Sequence, residues 1–135
     1  MQHKDTKGTK EHEERLSFVI IGAAIEVHRA IGPGVLESVY EECLCQELYL
    51  RGICVRRQVP LPLHYKGIRI RCGYRIDLLV EDRIVVELKA VERIPPIARV
   101  QLLSHLRLLN RRLGLLINFH TETLRNGIQR VVNGW

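Results

Sequence analysis

Asp77, Glu87 and Lys89 are the residues of this chain whose types and spacing can do chemistry together. They lie in the stretch R-I-D-L-L-V-E-D-R-I-V-V-E-L-K, residues 75–89. Residues 84–90 are rich in β-branched and aliphatic side chains and read as a strand. Strand side chains alternate, so Val85, Glu87 and Lys89 share one face while Val86 and Leu88 take the other. If residues 75–80 form the preceding antiparallel strand, turned at Glu81-Asp82-Arg83, Asp77 comes close to Glu87. Two carboxylates and an ammonium then converge on an otherwise apolar sheet. Burying them without a counter-ion is costly, which points to a divalent cation. Magnesium takes carboxylate oxygens and retains several waters. It can polarise a phosphoryl oxygen and lower the pKa of a bound water, with a lysine two residues on to orient that water or stabilise charge on the phosphate. A structural ion pair of Lys89 with Glu87 or Asp77 is the competing reading, and the spacing alone leaves both open.

Other candidates surround this centre. Glu37 follows Gly32-Pro33-Gly34 at the opening of a helix. It either favours the positive end of the helix dipole or faces the sheet as a third carboxylate. Gln101 lies on the helix after the Glu-x-Lys strand, with His105 one turn further along the same face. Either can contact a nucleophilic water or a phosphate; a surface glutamine and a satisfied, partly buried histidine are the plain alternatives. Lys66, Arg69, Arg71 and Arg75 are candidate phosphate contacts, or a solvated strand face. His28, His64 and His120 show no ligand spacing. Cys43, Cys45, Cys54 and Cys72 contain no C-x-x-C pair and read as reduced thiols of a cytoplasmic protein.

The elements that must position these groups follow from hydrophobic period. Residues 1–12 read as a disordered tail and 13–135 as a single domain. Leu16, Val19, Ile20, Ala23, Ala24 and Val27 recur at steps of three and four, a helix from about Glu13. Gly and Pro at 32–34 end it. A second helix runs from about Leu36 to Leu50, with Val39, Tyr40, Cys43, Leu44 and Leu48 inward and Arg51-Gly52 as its end. Residues 53–63 are extended, with Pro60 and Pro62 suited to a sheet edge. Residues 68–80 read as one strand bent at Gly73, pairing with 84–90. Pro95-Pro96 open a third helix carrying Val100, Leu103 and Leu106. Residues 113–119 are apolar on both faces and read as a central strand, followed by an extended segment over 127–132.

At 135 residues, 46% hydrophobic and 27% charged, the chain has the composition of a globular domain. No apolar run is long enough to span a membrane, and the first fifteen residues resemble no leader. The net charge of +6 is unevenly spread. Residues 48–76 carry 7 basic and no acidic side chains, residues 77–92 carry 2 and 5, and residues 93–135 carry 7 and 1. An acidic island holding the candidate site thus lies between two basic blocks, a pattern that draws a polyanion towards a metal-holding centre.

Gly34-Val-Leu-Glu37-Ser-Val-Tyr40 resembles the GxxExxY signature of a family of small prokaryotic proteins. The resemblance continues through Gln58-Val-Pro-Leu, Tyr65-Lys66-Gly67, Arg75-Ile-Asp77-Leu-Leu-Val, Val86-Glu87-Leu-Lys89-Ala-Val, Gln101-Leu-Leu and Gly114-Leu-Leu-Ile-Asn118-Phe119. That family is placed in the PD-(D/E)XK nuclease superfamily. The resemblance implies an α/β, restriction-endonuclease-like αβββαβ core, with a mixed central sheet flanked by helices. It also implies a Mg²⁺ or Mn²⁺ site and phosphodiester hydrolysis. By motif, Asp77 and Glu87 would be metal ligands, with the Leu88 carbonyl as a further one. Glu37 would be the helix carboxylate and join Asp77 and Glu87 at the metal, Lys89 the catalytic lysine, and Gln101 the glutamine of the QxxxY motif in the lambda-exonuclease-like branch. Ile76 replaces the motif's proline, and His105 stands where that branch has tyrosine. The expected partner is nucleic acid, DNA before RNA. A non-catalytic binding module and a homodimer built on residues 113–119 or on the edge near Pro60 are the rivals.

Overall fold

A computed structural model describes residues 6–71 and 73–134. Helix α1 (Thr6–Ile31) is followed by α2 (Glu37–Leu50), strands β1 (Val55–Pro60), β2 (Leu63–Tyr65), β3 (Ile68–Ile70), β4 (Arg75–Val80) and β5 (Ile84–Lys89), helix α3 (Ile97–Leu109), and strands β6 (Leu113–Asn118) and β7 (Ile128–Val132). The main sheet has the order β1-β4-β5-β6-β7, while β2 and β3 form a separate hairpin. All neighbours in the main sheet are antiparallel except β5 and β6, which are parallel. A parallel pair needs a crossover, and α3 supplies it. The sheet is therefore mixed and flanked by helices, as expected. No helix among the described residues is long and apolar enough to cross a membrane.

Two apolar layers sandwich the sheet. Ile20, Ala24, Tyr40, Leu44 and Leu48 of the first two helices meet Leu78, Val86, Leu88 and Ile117. On the other side Leu102 and Leu106 of α3 meet Leu79, Val85 and Leu116. Val85 and Val86 therefore face opposite layers, the alternation read from the sequence. The six residues of β6 are all buried, as a strand covered on both faces requires.

Several boundaries differ from expectation. Helix α1 begins at Thr6, so residues 6–12 are helical and not a disordered tail; residues 1–5 lie outside the described part. Residues 68–80 are two strands: β3 pairs with β2 in the hairpin, and only β4 enters the main sheet. Cys72, between them, is not among the described residues. Val39 and Val100 are exposed. The buried stripe of α2 is Tyr40, Glu41, Leu44 and Leu48. That of α3 is Ala98, Leu102 and Leu106, because the four-residue ridge faces the sheet.

The connections explain how the site is held. Gly52 adopts φ +77; its N–H bonds Tyr49 O and the Ile53 N–H bonds Leu48 O, a paired closure of the helix end that needs a left-handed residue. The Tyr40 hydroxyl donates to Gly32 O at 2.5 Å, and its ring stacks on Phe119 at 4.4 Å. The tyrosine of the G-x-x-E-x-x-Y segment thus ties the helical hairpin to the sheet. Glu81 and Asp82 both have positive φ, and the Arg83 N–H bonds Val80 O at 2.9 Å. That is the tight turn whose twist matches an antiparallel pair.

Candidate active site

Strands β4 and β5 pair from Val80–Ile84 to Leu78–Val86. Continuing that register sets Asp77 opposite Glu87. There the ladder ends, and the Leu88 N–H donates instead to Asp77 Oδ2 at 2.7 Å. A side-chain carboxylate thus replaces a main-chain carbonyl where the two strands part. β5 continues alongside β6 to the Lys89–Asn118 pair. Asn118 closes this end: its side-chain amide exchanges hydrogen bonds with the main chain of Val91, at 3.1 and 2.8 Å.

Asp77 is half-buried, and its pKa is pushed up to about 6. Burial is the main cause, with the nearby charges of Glu87 and Glu41 adding to it and the Leu88 N–H opposing it. Glu87 Oε2 lies 3.0 Å from His105 Nδ1. An ionised carboxylate can only accept, so that ring nitrogen carries the proton. The Tyr74 ring lies 6.2 Å from that of His105.

Lys89 is half-buried at the end of β5. Among the described residues it makes no ion pair or side-chain hydrogen bond. The structural ion pair with Glu87 or Asp77 is therefore not formed: Glu87 is held by histidine and Asp77 by a peptide N–H. Leu88, between them, has a buried side chain.

The remaining expected residues divide. Glu37 is exposed and accepts the Ala90 N–H at 3.3 Å, beside the exit of β5. Among the described residues no three His, Cys, Asp or Glu side chains converge to hold a metal. Glu37 lies in the first turn of α2 and meets the chain just beyond Lys89. Gln101 is exposed on α3 with no hydrogen bond among the described residues, whereas His105, one turn on, enters the site. Arg69, Arg71 and Arg75 line one cleft with Tyr74. Lys66 stands apart at the hairpin turn, 5.3 Å from the centre of the Tyr65 ring.

Glu41 and Gln58 were not assigned from sequence, yet both reach this site. Glu41 is buried and accepts from Arg57 Nε at 3.0 Å and from Gln58 Nε2 at 2.9 Å. Gln58 Nε2 also lies 3.4 Å from Asp77 Oδ1. One amide group thus bridges a helix carboxylate and the strand aspartate. Gln58 does so at φ +50, in the left-handed region within β1, a conformation that costs on the order of 1 kcal/mol or more for a non-glycine residue. The only sequence signal for Glu41 was its place on the same helical face as Tyr40 and Leu44.

The donor set fits a hard cation. Two carboxylates from adjacent strands meet where burial, with the charges of Glu87 and Glu41 adding to it, holds the Asp77 carboxyl well above its ordinary range. Magnesium is commonly bound by one or two protein carboxylates with waters completing its shell. Asp77 and Glu87 would hold it, with Lys89 free to face an anion beside them.

Neither a curated protein nor a solved structure matches the chain. A family model described as the PD-(D/E)XK nuclease superfamily matches residues 14–131. That span carries Asp77, Glu87, Lys89 and every other residue of the site just described. The chain belongs to the PD-(D/E)XK nuclease superfamily.

Proposed function

We propose that the protein is a Mg²⁺- or Mn²⁺-dependent nuclease that hydrolyses phosphodiester bonds in nucleic acid, with DNA placed before RNA as its substrate. The observation that carries this is the Lys89 ammonium, unpaired among the described residues, on the same strand face as Glu87 in a chain of this superfamily. Nucleases of this superfamily generally use divalent metals. A bound cation would supply Lewis acidity and a nucleophile at neutral pH. Asp77 and Glu87 would hold it. The Leu88 N–H fixes the Asp77 carboxylate and His105 fixes Glu87. Lys89 places positive charge where the phosphate gains charge in the transition state. The arginines at positions 69, 71 and 75 seat the substrate backbone through phosphate contacts that carry no base preference. Binding is therefore salt-sensitive. Free thiols at Cys43, Cys45 and Cys54 suit a reducing cytoplasmic setting.

The test is cleavage of a labelled DNA with either metal, with and without EDTA. We expect activity that EDTA abolishes and that Asp77→Ala lacks. Cleavage that persists through both changes contradicts the reading. A non-catalytic binding module is the second reading, favoured by the absence of a three-carboxylate cluster among the described residues. It predicts DNA binding indifferent to EDTA and no cleavage with any metal. A homodimer draws no support from β6, whose side chains are all buried.

A further inference from the structure

The cleft beside the carboxylates has the chemistry of a seat for an unpaired strand. Its volume is about 310 Å³, and its walls include Arg69, Arg71 and Arg75 with Tyr74, Pro60 and Leu61. No acidic side chain among the described residues lines it. Among the described residues neither Arg69 nor Arg71 has an ion-pair partner. Arg75 donates only to a main-chain carbonyl, that of Gln58, at 3.3 Å. Three guanidinium groups gathered without a counter-ion form an anion site, and planar forks of this kind match phosphate oxygens.

Tyr74 supplies the second half. The residue is 63% exposed, yet its backbone is held, since Tyr74 O accepts the Leu61 N–H at 3.1 Å. It is therefore an aromatic side chain presented to solvent from a held position, in the same cleft as the arginines. Its ring lies 6.2 Å from that of His105, which is hydrogen-bonded to Glu87. Base faces inside a duplex are already covered by their neighbours. Only an unpaired base can offer its face to a protruding tyrosine, and such stacking is the usual recognition of single strands.

We propose that this cleft binds a single-stranded segment of nucleic acid, with Arg69, Arg71 and Arg75 on successive phosphates and a base stacked on Tyr74. The inference rests on the nuclease reading for its substrate class and deepens it: the strand delivered to Asp77 and Glu87 is unpaired, as at an end, a flap or a gap. Tyr74 acts by binding and not in the chemistry.

The test is fluorescence anisotropy in EDTA, so that no cleavage is read. The probes are a labelled oligothymidylate, an abasic oligonucleotide of equal length, and a blunt duplex. The wild-type protein should bind the oligothymidylate at least about tenfold more tightly than the duplex. Tyr74→Ala should lose about tenfold on the oligothymidylate, the scale of one stacked base, and nothing on the abasic strand. Tyr74→Phe should keep wild-type binding. Arg71→Ala should weaken both single strands alike and lower the salt slope by about one. Duplex binding as tight as single-strand binding overturns the proposal, as does an equal loss by Tyr74→Ala on the abasic strand. Both residues are exposed, so unchanged thermal melts exclude misfolding. Intact strand preference without cleavage when metal is restored would sink the nuclease reading alone.

Discussion

His105 Nδ1 and Glu87 Oε2 meet at 3.0 Å, joining the crossover helix to the strand that carries Lys89. The contact holds Glu87 in one orientation and leaves Lys89 unclaimed. Partners that orient a metal ligand typically influence activity or metal affinity by 10–100-fold. His105→Ala should therefore lower kcat by about tenfold and raise the metal concentration needed for half-activity. His105→Gln, whose amide N–H can still donate, should recover most of the loss. Equal activity in all three proteins, measured over a metal titration, would remove His105 from the site.

Asp77 makes the metal-free protein less stable as pH rises. Its ordinary value is 3.8 and its folded value about 6. Between these the folded state retains a proton that the unfolded chain releases, so stability falls across that window and stays lower above it. Solvent at the exposed edge of the carboxylate limits the cost to on the order of 1 kcal/mol. Asp77→Asn should thus be more stable than wild type in EDTA at neutral pH and nearly equal to it at pH values below 3.8. Urea denaturation at both pH values gives the comparison. Added Mn²⁺ should raise the wild-type melting temperature and leave Asp77→Asn unmoved.

Gln58 trades backbone strain for its two carboxylate contacts. Gln58→Ala keeps the positive φ and loses both, so it should destabilise by about 1–3 kcal/mol. Gln58→Gly loses the same contacts but relieves the backbone, and should be the milder change by about 1 kcal/mol. Denaturant midpoints of the three proteins measure this. A glycine variant less stable than the alanine one would show that the left-handed backbone at this position carries no strain.

The Cys45 thiol is pushed up to about 11, chiefly by burial. A raised pKa keeps a thiol protonated and unreactive. Cys54 is exposed. Alkylation under native conditions, followed by peptide mass mapping, should modify Cys54 well before Cys45. The reverse order would place Cys45 at the surface.

The sheet was legible because its signals are short-range. Glu87 and Lys89 share a face through simple alternation, Glu81-Asp82 sit at the turn, and residues 113–118 are apolar on both faces. The mixed sheet follows from a helix-length crossover between two of these strands. The carboxylate pairing was legible too, because a tight turn leaves one register. The helix contributions were not. Glu37 and Glu41 lie one turn apart on one face, and the sequence does not say which reaches Asp77. That choice depends on how α2 crosses the sheet, a long-range property fixed by Tyr40 stacking on Phe119 and by Arg57 reaching Glu41 from β1. Gln58 was hidden for a related reason. Its role requires a left-handed backbone inside a strand, which no propensity of glutamine announces. Residues 68–80 read as one strand because the alternation of Ile68 and Ile70 continues in phase past Gly73, although the first part pairs with Leu63–Tyr65 in its own hairpin. The start of α1 was missed because its first turns are polar and the apolar stripe begins only at Leu16.

The most direct measurement is single-turnover cleavage of a labelled single-stranded DNA by Lys89→Ala and Lys89→Arg beside wild type, with saturating Mg²⁺ or Mn²⁺. Lys89 has no structural partner among the described residues, so both variants should fold and melt as wild type. Lys89→Ala should lose about 10²–10³-fold in rate, the scale of one electrostatic donor at the reacting phosphate, with DNA affinity little changed, while Lys89→Arg should keep part of the rate. Wild-type rates in a correctly folded Lys89→Ala protein would contradict the account.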